Sequence, residues 1–372
     1  MLLARLQGPA APPPGAQTCV SCHRAIVERY RRTAHFTTSM EANGRSIMGS
    51  FAPGHNLLET GVPGVSFRME KRNGSFFQTG FDRNRLASTT ARIDLVVGSG
   101  RRGQSYVYWK AGMLFELPVS YLTGAHSWIN SPGYADGTID FGRVIQPRCL
   151  ECHATRFDLT GPPQAPRYAA GYEIGIGCQT CHGDGRSHVA SQRARPTGKP
   201  LHDILNPARF TRERKVDNCA LCHSGPRRLR RPAFSYQPGE PLDDYLGPRA
   251  GPAPGPPDVH GDQVGLLERS KCFRVSALMT CSTCHDVHQT QRDPAALSKK
   301  CLGCHEPTHH RPIAGMDRRQ ATVCVDCHMP TEKSGALQFN SPTQRFIPSF
   351  RNHTIAIYPA ATAAVLARVR AR

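Results

Sequence analysis

Seven copies of Cys-x-x-Cys-His run along this 372-residue chain: Cys19/Cys22 with His23, Cys149/Cys152 with His153, Cys178/Cys181 with His182, Cys219/Cys222 with His223, Cys281/Cys284 with His285, Cys301/Cys304 with His305, and Cys324/Cys327 with His328. They take up fourteen of the fifteen cysteines. Two thiols at this spacing reach the two vinyl groups on one edge of a haem and become thioethers, while the histidine that follows folds under the ring and binds iron from the proximal side. The pattern therefore predicts seven covalently attached haem c groups, each with its iron.

Zinc and disulfides are the rival uses of such cysteines. Zinc knuckles need no histidine directly after the second cysteine. With 17 histidines in 372 residues, seven accidental placements have a chance on the order of one in a billion. A structural disulfide rarely closes so short a loop, let alone seven times.

Iron in a six-coordinate haem needs a second axial ligand, and ten further histidines supply candidates. His188 lies six residues past His182, His288 three past His285, and His309 and His310 four and five past His305. These are too close to reach over their own haem, so His188, His288 and one of His309 and His310 are expected to ligate a neighbour. His35 and His353 sit towards the two ends of the chain and are expected to tie it to distant haems. His260 and His126 come next as distal ligands, and His55 and His202 last. The site at Cys219/Cys222 has no spare histidine nearby. Methionine is the rival ligand: Met40 and Met316 are weak candidates, and Met329 adjoins His328. Cys272, outside every motif, reads as a buried small apolar group.

The elements that must position these residues divide the chain unevenly. After the first motif comes a gap of 130 positions to Cys149, and then intervals of 29, 41, 62, 20 and 23. The gap reads as strands: Val65–Phe67, Ser75–Gly80, Ile93–Val97, Ser105–Trp109 and Met113–Leu117, broken by turn signals at Asn73-Gly74 and Ala111-Gly112. A twisted antiparallel meander is expected there, covering the first haem, with a docking surface as the alternative role. Helices are expected over Cys19–Thr33, Ser270–Leu278 and Pro359–Arg372, and loops at Gly161–Pro166 and Gly247–Asp258. The organisation is thus an amino-terminal tail (1–18), a first haem segment (19–55), a β-rich insert (56–148), a six-haem region (149–358) and a basic carboxy-terminal tail (359–372).

Only 39% of the chain is hydrophobic and 7% aromatic, a modest supply for a protein core. Haems at this density become the interior themselves. The formal charge of +19 would ordinarily point to nucleic acid or an anionic surface. Two propionates per haem bring it to about +12 oxidised and about +5 reduced, so no nucleic-acid partner is expected. Arg101, Arg102 and the run Arg227, Arg228, Arg230 and Arg231 are candidate propionate partners; the run could equally be a solvated basic face that docks an acidic redox partner.

Haem c attachment in bacteria takes place outside the cytoplasm, so a periplasmic or otherwise extracytoplasmic protein is expected. Met1–Leu6 followed by Pro12–Pro14 has no apolar core of a signal peptide, which suggests a truncated or processed start. No apolar run reaches the length of a membrane span.

Several of these stretches resemble one family. Cys19-Val-Ser-Cys22-His23 followed by His35 and Met40, Cys178-Gln-Thr-Cys181-His182-Gly-Asp-Gly with His188, Ser270-Lys-Cys272 leading to Cys281-Ser-Thr-Cys284-His285-Asp-Val-His288, Cys324-Val-Asp-Cys327-His328-Met-Pro, and Asn352-His353-Thr-Ile are similar to multihaem cytochromes related to the tetrahaem electron carrier of ammonia oxidation and to hydroxylamine oxidoreductase. The resemblance spans nearly the whole chain. It implies a mainly α and irregular fold organised around stacked haems, here with a small antiparallel β insert near residues 60–125, and His35, His188, His288 and His353 as distal ligands. The insert has no place in the small tetrahaem carrier, and no Cys-x-x-Cys-Lys occurs. The function expected is that of a heptahaem electron carrier with mostly bis-histidine irons, exchanging electrons with other redox proteins or serving as a subunit of a larger redox assembly. The alternative is a multihaem oxidoreductase acting on a small nitrogen or sulfur compound at one haem with an open sixth position.

Overall fold

The computed structural model describes residues 16–194, 203–249, 262–306, 323–334, 339–340 and 345–370. His202, His260, His309, His310 and Met316 lie outside the described residues, as do most of the expected 247–258 loop and the first fifteen residues.

Each motif takes a helical turn, and that is what makes the spacing work. In a helix, positions i, i+3 and i+4 share one face, so both thiols and the following histidine point the same way. The first motif lies in α1 (Ala16–Tyr30), which kinks at His23. The second follows from α2 (Pro147–Glu151), and the third fills α3 (Gln179–His182), with α4 (Arg186–Ala194) behind it. The fourth closes α5 (Arg212–His223), N-capped by the Thr211 hydroxyl. Then come α6 (Gln263–Glu268), α7 (Lys271–Val275) and α8 (Pro294–Ser298), with 3-10 turns at Cys281–Thr283 and Cys301–Gly303 for the fifth and sixth motifs. The seventh is α9 (Cys324–His328), and α10 (Pro359–Arg370) ends the description.

The long gap holds β-sheet. Its strands are β1 (Ser39–Glu41), β2 (Leu57–Glu59), β3 (Val65–Arg72), β4 (Ser75–Asp82), β5 (Ala87–Arg92), β6 (Leu95–Val97), β7 (Gly103–Lys110), β8 (Met113–Glu116), β9 (Val119–Leu122) and β10 (Ser127–Asn130). Asn73-Gly74 and Ala111-Gly112 are the two-residue turns of the β3–β4 and β7–β8 hairpins, all four residues at positive φ between 48° and 78°. That is the backbone hand a tight hairpin needs. A short pair, β11 (Ala154–Arg156) and β12 (Glu173–Ile174), lies beyond the second motif.

One meander was expected, and two sheets form. The order β2-β3-β4-β5 is a meander, but a second sheet runs β1-β6-β7-β9-β10 with β8 on β7. Phe67, Met69 and Phe76 of the first share one core with Val96, Tyr106, Val119, Tyr121 and Trp128 of the second. Gln78 bridges them from a fully buried position: its amide nitrogen donates to the Val119 carbonyl at 2.7 Å and its oxygen accepts from the Val119 N–H at 3.2 Å. An amide buried there without both partners would cost on the order of 1–3 kcal/mol. The second sheet also recruits β1, just past the first motif, and so fixes where α1 enters.

A mainly α fold is accordingly not supported: among the described residues helix and strand have comparable shares. Outside α1, α5 and α10 no described helix exceeds nine residues. One turn satisfies a motif, and the Gly and Pro between motifs end it.

Candidate haem-binding site

Residues of all seven motifs line one continuous cavity of about 3680 Å³. Its walls carry His35, His188, His288 and His353 as well. Six large apolar side chains on this wall, Ile26, Val275, Leu278, Val287, Leu302 and Ile357, stand between 40% and 87% exposed, an apolar surface that a large flat hydrophobic group would cover.

The histidines test the fit of haem iron directly. Two imidazoles on one iron, at about 2.0 Å per bond, put their ring centres roughly 6 Å apart. Four pairs stand at that distance: His23–His188 at 6.3 Å, His35–His223 at 6.0 Å, His182–His288 at 6.2 Å and His285–His353 at 6.3 Å. Each pair joins a proximal histidine to one of the four distal candidates that the sequence put first. His188 and His288 stand opposite the proximal-position histidines of motifs other than those they follow, and His223, at the motif with no spare histidine nearby in sequence, has His35 of the amino-terminal segment opposite it.

The outer ring nitrogens are held. His182 Nδ1 is 2.8 Å from the Leu205 carbonyl, His328 Nδ1 2.8 Å from that of Ala356, and His353 Nδ1 3.0 Å from that of Arg351. His153 Nδ1 meets the Thr38 hydroxyl at 2.9 Å, and His188 Nδ1 the Asp203 carboxylate at 2.9 Å. With Nδ1 so engaged, Nε2 is the nitrogen left for metal. Burial holds His35 and His353 down to about 4 and also lowers His182, His223 and His285, so these rings stay in the neutral, ligating form. The residues present fit haem c.

The thiols show which motifs are neighbours. The Cys19 thiol lies beside that of Cys178, Cys152 beside Cys222, Cys219 beside Cys281, and Cys301 beside Cys324. Cys181 lies within electrostatic reach of Cys219, and Cys284 of Cys301 and Cys304. Among the described residues no three of His, Cys, Asp and Glu converge on a common point as ligands of a bare metal ion.

Other candidates fall elsewhere. His126 is exposed, in a left-handed conformation after the Thr123–Ala125 turn, and His55 is exposed too; neither lines the cavity. Met40 packs on the sandwich core, whereas Met329 and Cys272 line the cavity. Arg101 and Arg102 are on the wall, with Arg102 also 4.4 Å over the Phe350 ring. The run from Arg227 to Arg231 is not. Arg227 is buried, donates to the Gly247 carbonyl at 2.6 Å and pairs with Asp243 at 2.5 Å; Arg230 donates to the Asp243 carbonyl, and Arg231 lies over Tyr245. These arginines brace the 242–247 turn. Thr38, Asp203 and the carbonyls of Leu205 and Ala356 were not legible in the sequence, because no residue type announces a partner 15 or more positions away.

A family model for cytochrome c554 and c-prime matches residues 132–183, the stretch with the second and third motifs. The chain is 25% identical over 236 residues to the C-type polyheme cytochrome OmcC of Geobacter sulfurreducens; the match takes in 54% of this chain but only 29% of that relative's length. The outer cell wall cytochrome OcwA has a similar structure, with a TM-score of 0.55 at 16% identity over 95% of this chain and 81% of that one. Coverage that wide means the sheets belong to the shared fold along with the motif segments. An undecaheme cytochrome from the S-layer of Carboxydothermus ferrireducens reaches 0.40 at 15% identity, too low to carry an argument. By these matches the chain is similar to multihaem c-type cytochromes, and in fold it is similar to OcwA over nearly its whole length. No described helix is long and apolar enough to cross a membrane.

Proposed function

We propose that this chain is a heptahaem electron carrier whose irons are mostly bis-histidine ligated, working outside the cytoplasm between a redox donor and a redox acceptor. The observation that carries the reading is the set of four histidine pairs 6.0–6.3 Å apart along a cavity lined by all seven motifs. Bound there, haem iron takes up and gives back single electrons. At the four paired sites the chain's own part would be to hold the iron with two imidazoles, which would leave no position for a substrate there, and to hold the sites close together.

The thiol contacts support an order. Numbered along the chain, motif one neighbours three, three neighbours four, four neighbours five, five neighbours six and six neighbours seven, with motif two branching from four. The site at Cys219/Cys222 is then a three-way junction. The names of the matched proteins, an outer cell wall cytochrome and a polyheme cytochrome, support an extracytoplasmic place.

The test is spectroscopic. Pyridine haemochrome assay should return seven haems per chain, and the ferric protein should be low-spin and inert to carbon monoxide once reduced. Fewer than six haems would sink the motif count. A high-spin fraction that binds carbon monoxide, nitrite or hydroxylamine would favour the oxidoreductase reading instead. His35→Ala should create one such open site, at His223.

A further inference from the structure

The axial imidazoles differ in what holds their outer nitrogen. Main-chain carbonyls face His182 and His353, at 2.8 and 3.0 Å, and the Gln263 side-chain amide faces His223 at 3.3 Å. His188 instead meets a carboxylate, Asp203 Oδ1, at 2.9 Å. The Ser191 hydroxyl, on the same helix as His188, donates to the other oxygen, Asp203 Oδ2. Asp203 is thus held on both oxygens, one by the imidazole and one by the hydroxyl. Asp286 offers a comparison inside the molecule: it stands 3.4 Å from His288 Nδ1, with both side chains 40% exposed, beyond the range of about 2.7–3.2 Å for a good hydrogen bond.

We propose that Asp203 is a positioning residue that sets a redox potential: through His188 it makes the iron held between His23 and His188 the most reducing of the four histidine-paired sites. The inference rests on the electron-carrier reading above and on these two histidines sharing one iron. An imidazole that gives its Nδ1–H to a carboxylate carries more electron density on Nε2, and a more basic ligand favours ferric over ferrous iron. A carbonyl or amide oxygen, with no net charge, does the same more weakly. The motif concerned is a terminus of the thiol-contact path, joined onward by Cys19 to Cys178. Placing the lowest potential at a terminus gives the path a direction: electrons delivered there run downhill into the interior.

The experiment is a potentiometric titration of the full haem-loaded protein, followed by visible absorption and electron paramagnetic resonance, in Asp203→Asn, Asp203→Glu and Asp286→Asn. Asp203→Asn should raise one component so that its reduced-to-oxidised ratio at fixed applied potential grows about tenfold, which for one electron is about 59 mV. Asp203→Glu should return that component towards its original potential, and Asp286→Asn should leave all components in place. If Asp203→Asn moves nothing, if Glu and Asn act alike, or if Asp286→Asn shifts a component as far, the proposal is overturned. Should Asp203→Asn fail to mature, Ser191→Ala carries the test: a carboxylate freed from its second donor pulls harder on His188 and the component falls, whereas one that stays put or rises overturns the proposal. A preparation with no reducible haem signal would overturn the electron-carrier reading instead, which separates the two failures.

Discussion

In the β sandwich Phe67, Met69, Tyr106, Leu117 and Val119 are wholly buried by other side chains, whereas on the cavity wall Val275, Leu278 and Ile357 stand 73%, 87% and 81% exposed. The sandwich completes its own interior, with hairpin turns that set register and a buried Gln78 that joins the sheets. The motif region closes small clusters, such as Leu221, Leu242, Leu246 and Val264 around α5, and leaves several large apolar side chains exposed towards the cavity. One region is specified by side-chain packing; the other is a wrapper whose interior arrives from outside. The hydrophobic gain from burying apolar area is the same in kind for both, but only the sandwich can collect it before haem attachment.

The sharpest break of that comparison is to make the chain without attaching haem. The motif region from Cys178 onward should then lose protection altogether, while the sandwich around residues 39–145 resists limited proteolysis followed by mass spectrometry. Equal digestion of both regions would show that the sandwich too depends on haem. Next in size, Phe67→Ala should cost about 3–5 kcal/mol in urea unfolding followed by far-ultraviolet circular dichroism, with the haem absorption unchanged at low urea. Loss of the haem bands in the same transition would make the two regions a single cooperative unit.

A finer probe lies on the wall they share. Glu116, at the end of β8, lines the cavity with its side chain 12% exposed and Arg143 3.3 Å away. Burial pushes it up to about 7, against opposing effects of the Arg143 charge and the Ser105 hydroxyl. The folded state therefore holds a proton that the unfolded chain has released between pH 4.5 and 7, and stability falls as pH rises through that window. Above it the cost is on the order of 3 kcal/mol. Glu116→Gln should flatten the decline in stability between pH 5 and 8, measured by urea unfolding at each pH; an unchanged slope would place the titration elsewhere.

The spacing of Cys-x-x-Cys-His was enough to point to haem c and to name the number and proximal ligands expected of it, because the chemistry is local: five consecutive residues on one helical turn place two thiols and an imidazole together. The hairpins were equally legible, since Asn73-Gly74 and Ala111-Gly112 carry their backbone conformation in their types. What the strands pair with was not. Alternating apolar residues say that a strand has a buried face, but nothing local says that β6 turns to β1 and β7 while β5 stays with β4, so a meander was expected where a sandwich forms.

The same boundary runs through the site. The sequence alone supplied His35, His188, His288 and His353 as candidates, from their number and their distance from their own motifs. Only the tertiary structure decided that His35 faces His223 and that a carboxylate rather than a carbonyl stands behind His188. The thiols and histidine of a motif are brought together within one turn of chain, whereas the facing histidines and their outer hydrogen bonds join residues up to 188 positions apart, as His35 and His223 are, and such pairings are settled by how the whole chain closes around its interior.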